Sequence, residues 1–253
     1  MTVVRRLGDL GERGPTPSPG TPAARRAHGT LVMLRHGRTS WNDESRFTGW
    51  ADPELSDRGE VEARRAGDAL AVVSLDLSLV LTSAATRARE TAALAVRAGE
   101  GVRFDWRVDW RLNERHFGLL QGMDRASAVA RYGRDAVRHW KRDRDALPPA
   151  IPEDDERHPR HDGRYLDVAR ESLPGAETIA DHERRVLACW GDTIAPRLAG
   201  GEDVLVVGHC HTLRALARLA SAPRACATDS LFKDTGSALM TSEPGVFVEL
   251  TRD

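Results

Sequence analysis

The sequence feature that most constrains the fold is an apolar run that ends in two basic residues. Residues 31–34 read Leu-Val-Met-Leu, and Arg35 and His36 follow directly. Four apolar residues are too few for a helix, and such a run predicts a buried strand of an α/β sheet. Open α/β sheets bind ligands at the carboxyl ends of their strands, so the pattern places Arg35 and His36 at a ligand-binding edge.

A second strand of the same kind occurs much later in the chain. Residues 204–207 read Val-Leu-Val-Val, Gly208 and His209 follow, and the next segment has the apolar spacing of a helix. Two parallel strands of one sheet would bring His36 and His209 side by side. The alternation of strands and helices predicts an α/β fold with three layers (α/β/α) and a mostly parallel central sheet, formed by a single domain over residues 29–253.

Several elements and loops can be placed between and after these two strands. The apolar spacing predicts a strand over residues 75–82 and helices over residues 56–70 and 125–141. It also predicts a helix from residue 83 to a stop at Gly99 and a helix from residue 179 that ends at Gly200 and Gly201. Residues 147–171 lack apolar periodicity, so we predict a long irregular segment there, called the excursion below, that is either packed over the site or mobile. Residues 236–250 predict two short strands, and residues 1–28, rich in Gly and Pro, predict a disordered extension.

Composition excludes several classes of function. The 253 residues include 37 Lys and Arg against 38 Asp and Glu, so no global field attracts nucleic acid or an anionic membrane. No apolar run is long enough to cross a membrane. Three cysteines without paired spacing indicate a reducing compartment, and we predict a cytoplasmic protein.

The residue pattern alone leaves alternatives open at three places. His36 is either a nucleophile or a histidine that only hydrogen-bonds a loop, and Arg87 either forms an exposed ion pair with Glu90 or points to the sheet edge. His209, Cys210 and His211 could be metal ligands. However, neighbouring residues at a strand end point to different sides and no second ligand cluster is evident, so we expect no metal.

The candidate residues together suit the transfer of a phosphoryl group. A neutral imidazole can attack phosphorus, arginines can bind the equatorial oxygens, and a carboxylate such as that of Glu114 can move the proton of the attacking or leaving oxygen. None of these steps needs a metal.

Several strings of residues resemble one family. They are Leu-Arg-His-Gly at 34–37, Arg-Phe-Thr-Gly-Trp at 46–50, Leu-Asn-Glu-Arg-His-Phe-Gly at 112–118 and Leu-Arg-Ala-Leu at 213–216. In these strings the chain resembles the 2,3-bisphosphoglycerate-dependent phosphoglycerate mutases of the histidine phosphatase superfamily, over most of residues 30–241. The resemblance implies a phosphoglycerate mutase-like fold and the interconversion of 2-phosphoglycerate and 3-phosphoglycerate in glycolysis and gluconeogenesis.

The resemblance also implies roles for individual residues. His36 would be phosphorylated during turnover, Glu114 would donate and accept the proton, His209 would stabilise the transferred group, and Arg35 and Arg87 would complete the phosphate pocket. The implied substrate-binding residues are Asn42, Thr48, Gly49, Arg115, Arg125, Lys141, Arg142, Cys210 and His211. The implied partners are a small phosphorylated three-carbon acid, with 2,3-bisphosphoglycerate as priming phosphate donor and no metal, and a homo-oligomer is left open.

Two departures from the family pattern keep two further functions open. Cys210 and His211 stand where the family has a glycine and an asparagine, and we expect the family's carboxyl-terminal extension to be absent because the sequence stops at Asp253. A site open to water would act as a phosphohistidine-dependent phosphatase on small phosphate esters. A crowded phosphate pocket would instead leave a protein that binds phosphate esters and turns them over weakly.

Overall fold

The computed structural model describes residues 29–71, 75–96 and 103–220 in full, together with the backbone of two strands at 239–243 and 246–247. The extension predicted at residues 1–28 lies outside the described residues.

A six-stranded sheet forms the centre of the described structure. Its strands are β1 (Leu31–Arg35), β2 (Leu77–Thr82), β3 (Asp105–Val108), β4 (Asp203–Gly208), β5 (Leu239–Glu243) and β6 (Val246–Phe247). The strand order is β3-β2-β4-β1-β5-β6, and the first four strands are parallel, whereas β5 and β6 are antiparallel. The mostly parallel α/β fold and the final strand pair are therefore confirmed.

Eight α-helices are assigned within the described residues. They are α1 (Ser40–Asp43), α2 (Asp57–Ala71), α3 (Thr86–Ala95), α4 (Arg125–Tyr132), α5 (Arg134–Arg142), α6 (Ile179–Cys189), α7 (Ala195–Ala199) and α8 (Cys210–Ala220). Single 3-10 turns occupy Trp110–Leu112, Gly118–Leu120, Pro159–His161, Gly163–Tyr165 and Arg170–Ser172. No helix of this part of the chain is both long enough and apolar enough to span a membrane.

Alternating side chains of β1 pack against the helical layers on the two faces of the sheet. Val32 and Leu34 pack with α2 and α3, whereas Leu31 and Met33 pack with α6 and α8. All four side chains are buried. Because burial of such a side chain contributes about 1.5–3 kcal/mol, this packing fixes the position of the strand end, where Arg35 and His36 follow.

Three predicted helices differ in the structure. The helix predicted over residues 125–141 is two helices, because Gly133 takes a φ of 85° that interrupts the helical backbone. Beyond α6 the helical path changes to a π-helical turn over Trp190–Ile194 before α7 begins. Helix α3 begins at Thr86 rather than Ser83, because the Asp52 carboxylate accepts hydrogen bonds from the backbone and hydroxyl of Thr86.

The sequence pattern missed strand β3 and left the excursion undecided. Strand β3 carries no apolar run, and all four of its residues are exposed at the sheet edge. In the excursion, Ile151 and Tyr165 are buried, and the Tyr165 ring lies 5.0 Å from the ring of Trp50. The excursion is therefore packed on the domain.

Candidate active site

His36 lies where β1 and β4 end together. Its backbone N–H donates to the carbonyl of Gly208 at 3.0 Å, and its Nδ1 lies 2.7 Å from the carbonyl oxygen of Gly37. Because a carbonyl only accepts, Nδ1 carries the proton of the neutral ring and Nε2 keeps its lone pair. The backbone of Gly37 lies so close to that of Gly59 that a Cβ at position 37 would be 2.3 Å from the Gly59 oxygen.

His209 lies beside His36 at the end of β4. The two ring centroids are 5.1 Å apart, and both side chains are buried. The His209 Nε2 lies 2.7 Å from the hydroxyl of Ser83, and Nδ1 lies 3.4 Å from Nη2 of Arg87. Since a guanidinium only donates, these contacts orient a neutral His209 with its proton on Nε2. The predicted juxtaposition of the two histidines is confirmed.

Arg87 reaches into the same edge from the first turn of α3. It is only 1% exposed, and its two terminal nitrogens donate to the carbonyls of Gly49 and Ala51 at 2.8 Å. An exposed ion pair with Glu90 is therefore excluded. Among the described residues, the buried Nε atoms of Arg87 and Arg35 have no hydrogen-bond partner. These unused donors suit an anionic ligand.

Burial and neighbouring cations keep both histidines neutral. Desolvation, followed by the charges of Arg87 and Arg35, holds the pKa of His36 well below its ordinary value. Desolvation, followed by Arg87, does the same to the pKa of His209. A neutral imidazole with a free Nε2 is the form of histidine that can attack phosphorus.

Glu114 completes the group of residues at this edge. It is buried, and its Oε1 accepts a hydrogen bond of 2.7 Å from the backbone N–H of Arg115. The Nδ1 of His211 lies 3.0 Å from the same oxygen. Although burial acts in the opposite direction, the close approach of the His211 imidazole holds the pKa of Glu114 well below its ordinary value.

Two of the three predicted ligands on the first loop have polar groups that already bond within the protein. The side-chain oxygen of Asn42 accepts hydrogen bonds from both the backbone N–H and the hydroxyl of Thr39. The carbonyl of Gly49 accepts from Arg87. Thr48 is partly exposed. Contact of these three residues with a substrate stays a prediction.

Arg115 occupies a position that does not support its predicted role. Its guanidinium is fully buried and donates to the carbonyls of Glu177 at 2.9 Å, Trp140 at 2.7 Å and Ala146 at 3.4 Å. These bonds hold the Glu114 loop against the end of α5. Contact of Arg115 with a substrate carboxylate stays a prediction, and the bonds described here already use its guanidinium within the protein.

A group of cations lies on α4 and α5. The side chains of Arg125, Lys141 and Arg142 are exposed. Partial desolvation of the Lys141 ammonium, followed by the charges of Arg125 and Arg142, lowers the pKa of Lys141. Three mutually repelling cations indicate a surface that an anion would stabilise.

Three residues of the site carried no predicted role. Ser83 orients His209, and it could have been found as the first polar residue after β2. The indole N–H of Trp50 donates to the Glu114 carbonyl at 2.7 Å. His182 is buried on α6 with its Nε2 3.1 Å from the Thr212 hydroxyl, and no sequence signal separates it from the core face of that helix.

Comparison with known proteins identifies the family. Residues 31–157 match the histidine phosphatase superfamily (branch 1). A 2,3-bisphosphoglycerate-dependent phosphoglycerate mutase from Nitratidesulfovibrio vulgaris (strain Hildenborough) is 47% identical over 186 residues, which cover 74% of each chain. The chain belongs to the histidine phosphatase superfamily.

Further relatives agree with this assignment. The mutase of the Miyazaki F strain is 45% identical over 190 residues, which cover 74% of this chain and 75% of that one. The solved structure of a mycobacterial glucosyl-3-phosphoglycerate phosphatase in complex with VO3 superposes with a TM-score of 0.61 at 26% identity, covering 88% of this chain and 97% of that one. This superfamily member therefore resembles both mutases and phosphatases.

Within the described residues, no group of three or more His, Cys, Asp or Glu side chains could hold a metal ion. The expectation that the reaction needs no metal stays a prediction.

Proposed function

We propose that this superfamily member is a 2,3-bisphosphoglycerate-dependent phosphoglycerate mutase that interconverts 3-phosphoglycerate and 2-phosphoglycerate through a phosphohistidine on His36. The observation that carries the proposal is the neutral His36, whose Nδ1 is held by Gly37 and whose Nε2 is free beside Arg87 and His209. The mutases at 47% and 45% identity support the choice of substrate.

The residues suit a double displacement. Nε2 of His36 attacks phosphorus of a phosphate ester, the P–O bond breaks, and Glu114 gives a proton to the leaving oxygen. In the reverse direction the hydroxyl of the acceptor attacks phospho-His36 and Glu114 takes its proton. Arg35 and Arg87 stabilise the negative charge on the phosphoryl oxygens in both directions.

The cations also suit a ligand with two phosphates. Arg35 and Arg87 provide unused buried donors for one phosphate, while Arg125, Lys141 and Arg142 provide exposed cations for a second phosphate or for a carboxylate. When bound, 2,3-bisphosphoglycerate supplies the phosphoryl group that first loads His36. We propose that no metal takes part and that the enzyme acts in the cytoplasm.

A phosphatase is the second candidate function. It is favoured by the likeness to a solved phosphatase. In this case water replaces the acceptor hydroxyl and Glu114 takes the proton of the water.

One assay tests the proposal against its alternatives. Purified protein is given 3-phosphoglycerate with a trace of 2,3-bisphosphoglycerate, and 2-phosphoglycerate and free phosphate are followed together. We expect 2-phosphoglycerate with little phosphate, unchanged by EDTA. Phosphate without 2-phosphoglycerate would establish the phosphatase, and neither product would leave a protein that only binds phosphate esters. The Glu114→Gln variant is the control, and it should lose the reaction that the wild type shows.

A further inference from the structure

The contact between His211 and Glu114 has no part in the reaction described above. His211 is the second residue of α8, and its Nδ1 lies 3.0 Å from Oε1 of Glu114. Its backbone N–H lies 3.5 Å from the other carboxylate oxygen. The imidazole therefore covers one side of the carboxyl group that handles the proton.

The position of His211 joins a buried carboxylate to solvent. The side chain of His211 is 26% exposed, whereas that of Glu114 is 11% exposed. The Nδ1 atom is itself buried and forms no aligned hydrogen bond, so its approach to Glu114 is a close contact of 3.0 Å, while another part of the ring reaches water. The imidazole is thus the more exposed member of the pair.

The groups around this pair come from several elements. Helix α6 contributes His182, whose ring centroid lies 6.2 Å from that of His211, and the Glu114 loop contributes the edge of Phe117 at 5.8 Å. Arg185 of the same helix donates to the backbone carbonyl of Glu114 at 2.9 Å. Further titratable or charged groups near the pair are His209, Cys210, Arg214, Arg115, His36, Arg87 and Arg35. The buried histidines His36, His182 and His209 are held neutral by desolvation. His211 is therefore the histidine beside Glu114 that is best placed to carry the stored proton.

We propose that His211 is a positioning residue that stores the catalytic proton for Glu114, so that the two side chains act as one acid–base pair. This inference rests on the proposed phosphohistidine chemistry but not on the identity of the substrate.

The pair works without any additional reactant. When His36 attacks an ester, the P–N bond forms and the P–O bond breaks, and one proton passes from Nδ1 of His211 to the Glu114 carboxylate and from there to the leaving oxygen. When an alcohol or water attacks phospho-His36, the proton travels in the opposite direction. An imidazole holds a proton at higher pH than a carboxyl group does, so the pair keeps its proton available nearer to neutral pH.

Leaving groups of different basicity provide the test. Phosphorylation of His36 is measured as the first-turnover burst with phenyl phosphate and with p-nitrophenyl phosphate, in the wild type and in His211→Asn and His211→Gln. The p-nitrophenolate leaves without a proton, whereas phenolate needs one. We expect both variants to slow the burst with phenyl phosphate by about 10-fold or more, because proton donation contributes about 10²-fold or more, and to change the p-nitrophenyl burst less than about threefold.

The pH profile and a double variant make the test specific. Without His211 the alkaline limb of the phenyl phosphate burst should move to lower pH by about one unit or more, because the proton then depends on the carboxyl group alone. In a Glu114→Gln background, His211→Asn should cause no further slowing. Equal slowing with both esters, an unmoved alkaline limb or additive effects would each overturn the proposal and indicate a structural or substrate-binding role.

The two aryl esters also separate this inference from the proposed function. Neither carries a carboxylate or a second phosphate, so both report on the acid–base pair even if phosphoglycerates prove not to be substrates. If the wild type forms phospho-His36 from these esters but does not turn over 3-phosphoglycerate, the proposed mutase function is wrong. The leaving-group comparison then still tests the proposed role of His211.

Discussion

The two cationic regions of the protein are built in opposite ways. At the sheet edge, Arg87 is buried and held by two main-chain carbonyls. On α4 and α5, the cations Arg125, Lys141 and Arg142 are exposed, and partial desolvation together with the charges of the two arginines lowers the pKa of Lys141. A buried cation that is held in place stabilises negative charge at one position, whereas exposed cations can move to contact anions of different shapes. We infer that the edge provides the chemistry and the helices select the substrate.

The largest effect should follow from the loss of His36. The His36→Gln variant removes the nucleophile from the edge, so no acid-labile, alkali-stable phosphoenzyme should form and turnover should fall by about 10⁴-fold or more. The measurement is incorporation of labelled phosphate, followed by mapping of the label. Label on His209 or His211 in the wild type would contradict the assignment.

A smaller loss should follow at the second histidine. His209→Gln removes a group that faces the transferred phosphate but does not form the covalent bond, so phosphorylation should slow by about 10²- to 10³-fold, as for a lost transition-state donor. The rate of phosphoenzyme formation is the measurement, and the label should still map to His36. Ser83→Ala should slow the same step less, because it only removes the 2.7 Å contact that orients His209. A Ser83 variant slower than the His209 variant would contradict this order.

Substrate selection by the helices predicts an effect confined to phosphoglycerates. Lys141→Gln should raise KM for 3-phosphoglycerate by about 10-fold or more, because a charge-assisted hydrogen bond contributes about 1.5–3 kcal/mol. Its kcat/KM for p-nitrophenyl phosphate should stay within about twofold. Arg138→Gln is the matched control, because Arg138 lies on the same helix but is paired with Asp135 at 2.8 Å. Equal losses with both substrates would show that Lys141 supports the edge instead.

The smallest effect concerns stability in acid. Desolvation lowers the pKa of the buried His116 to about 3, whereas an unfolded histidine titrates near 6.5. The unfolded chain therefore binds more protons as the pH falls below about 6.5, and at pH 5 this residue alone should lower the free energy of unfolding by about 2 kcal/mol.

Urea unfolding at pH 7.5 and pH 5.0 measures this contribution. His116→Asn should lose less stability than the wild type between the two pH values. His139→Asn, at an exposed position on α5, is the control and should retain the wild-type difference. If His116→Asn loses as much stability as the wild type, the acid sensitivity comes from other groups.

The sequence predicts the two strands that end on His36 and His209 better than the elements around them, for physical reasons. The runs at residues 31–34 and 204–207 are apolar throughout because both faces of these strands are covered, and such runs reveal the strands that end on His36 and His209. Strand β3 is exposed and its pattern carries no such signal. The strings of residues that resemble the family identified Glu114 as a site residue. They also favoured the interpretation in which Arg87 points to the sheet edge over the one in which it forms an exposed ion pair.

Contacts between distant segments were beyond sequence patterns. Nothing in the spacing shows that each of the three guanidinium nitrogens of Arg115 would donate to a carbonyl, or that His211 would approach the Glu114 carboxylate to 3.0 Å. The first depends on how the loop after Leu112 packs against the end of α5, and the second on how it lies over the first turn of α8. The break at Gly133 was also missed, because the apolar spacing continues on both sides of it.

The strand order has a consequence for the synthesis of this protein. Strand β4 lies between β1 and β2, yet it leaves the ribosome after all other parallel strands of the described sheet. Until residues 203–208 emerge, the nascent chain carries the nucleophile on a strand whose neighbour does not yet exist, and the edges of β1 and β2 are open to unwanted pairing. A product that stops before this point lacks both the centre of its sheet and its second histidine, so interrupted translation cannot release a partly active enzyme.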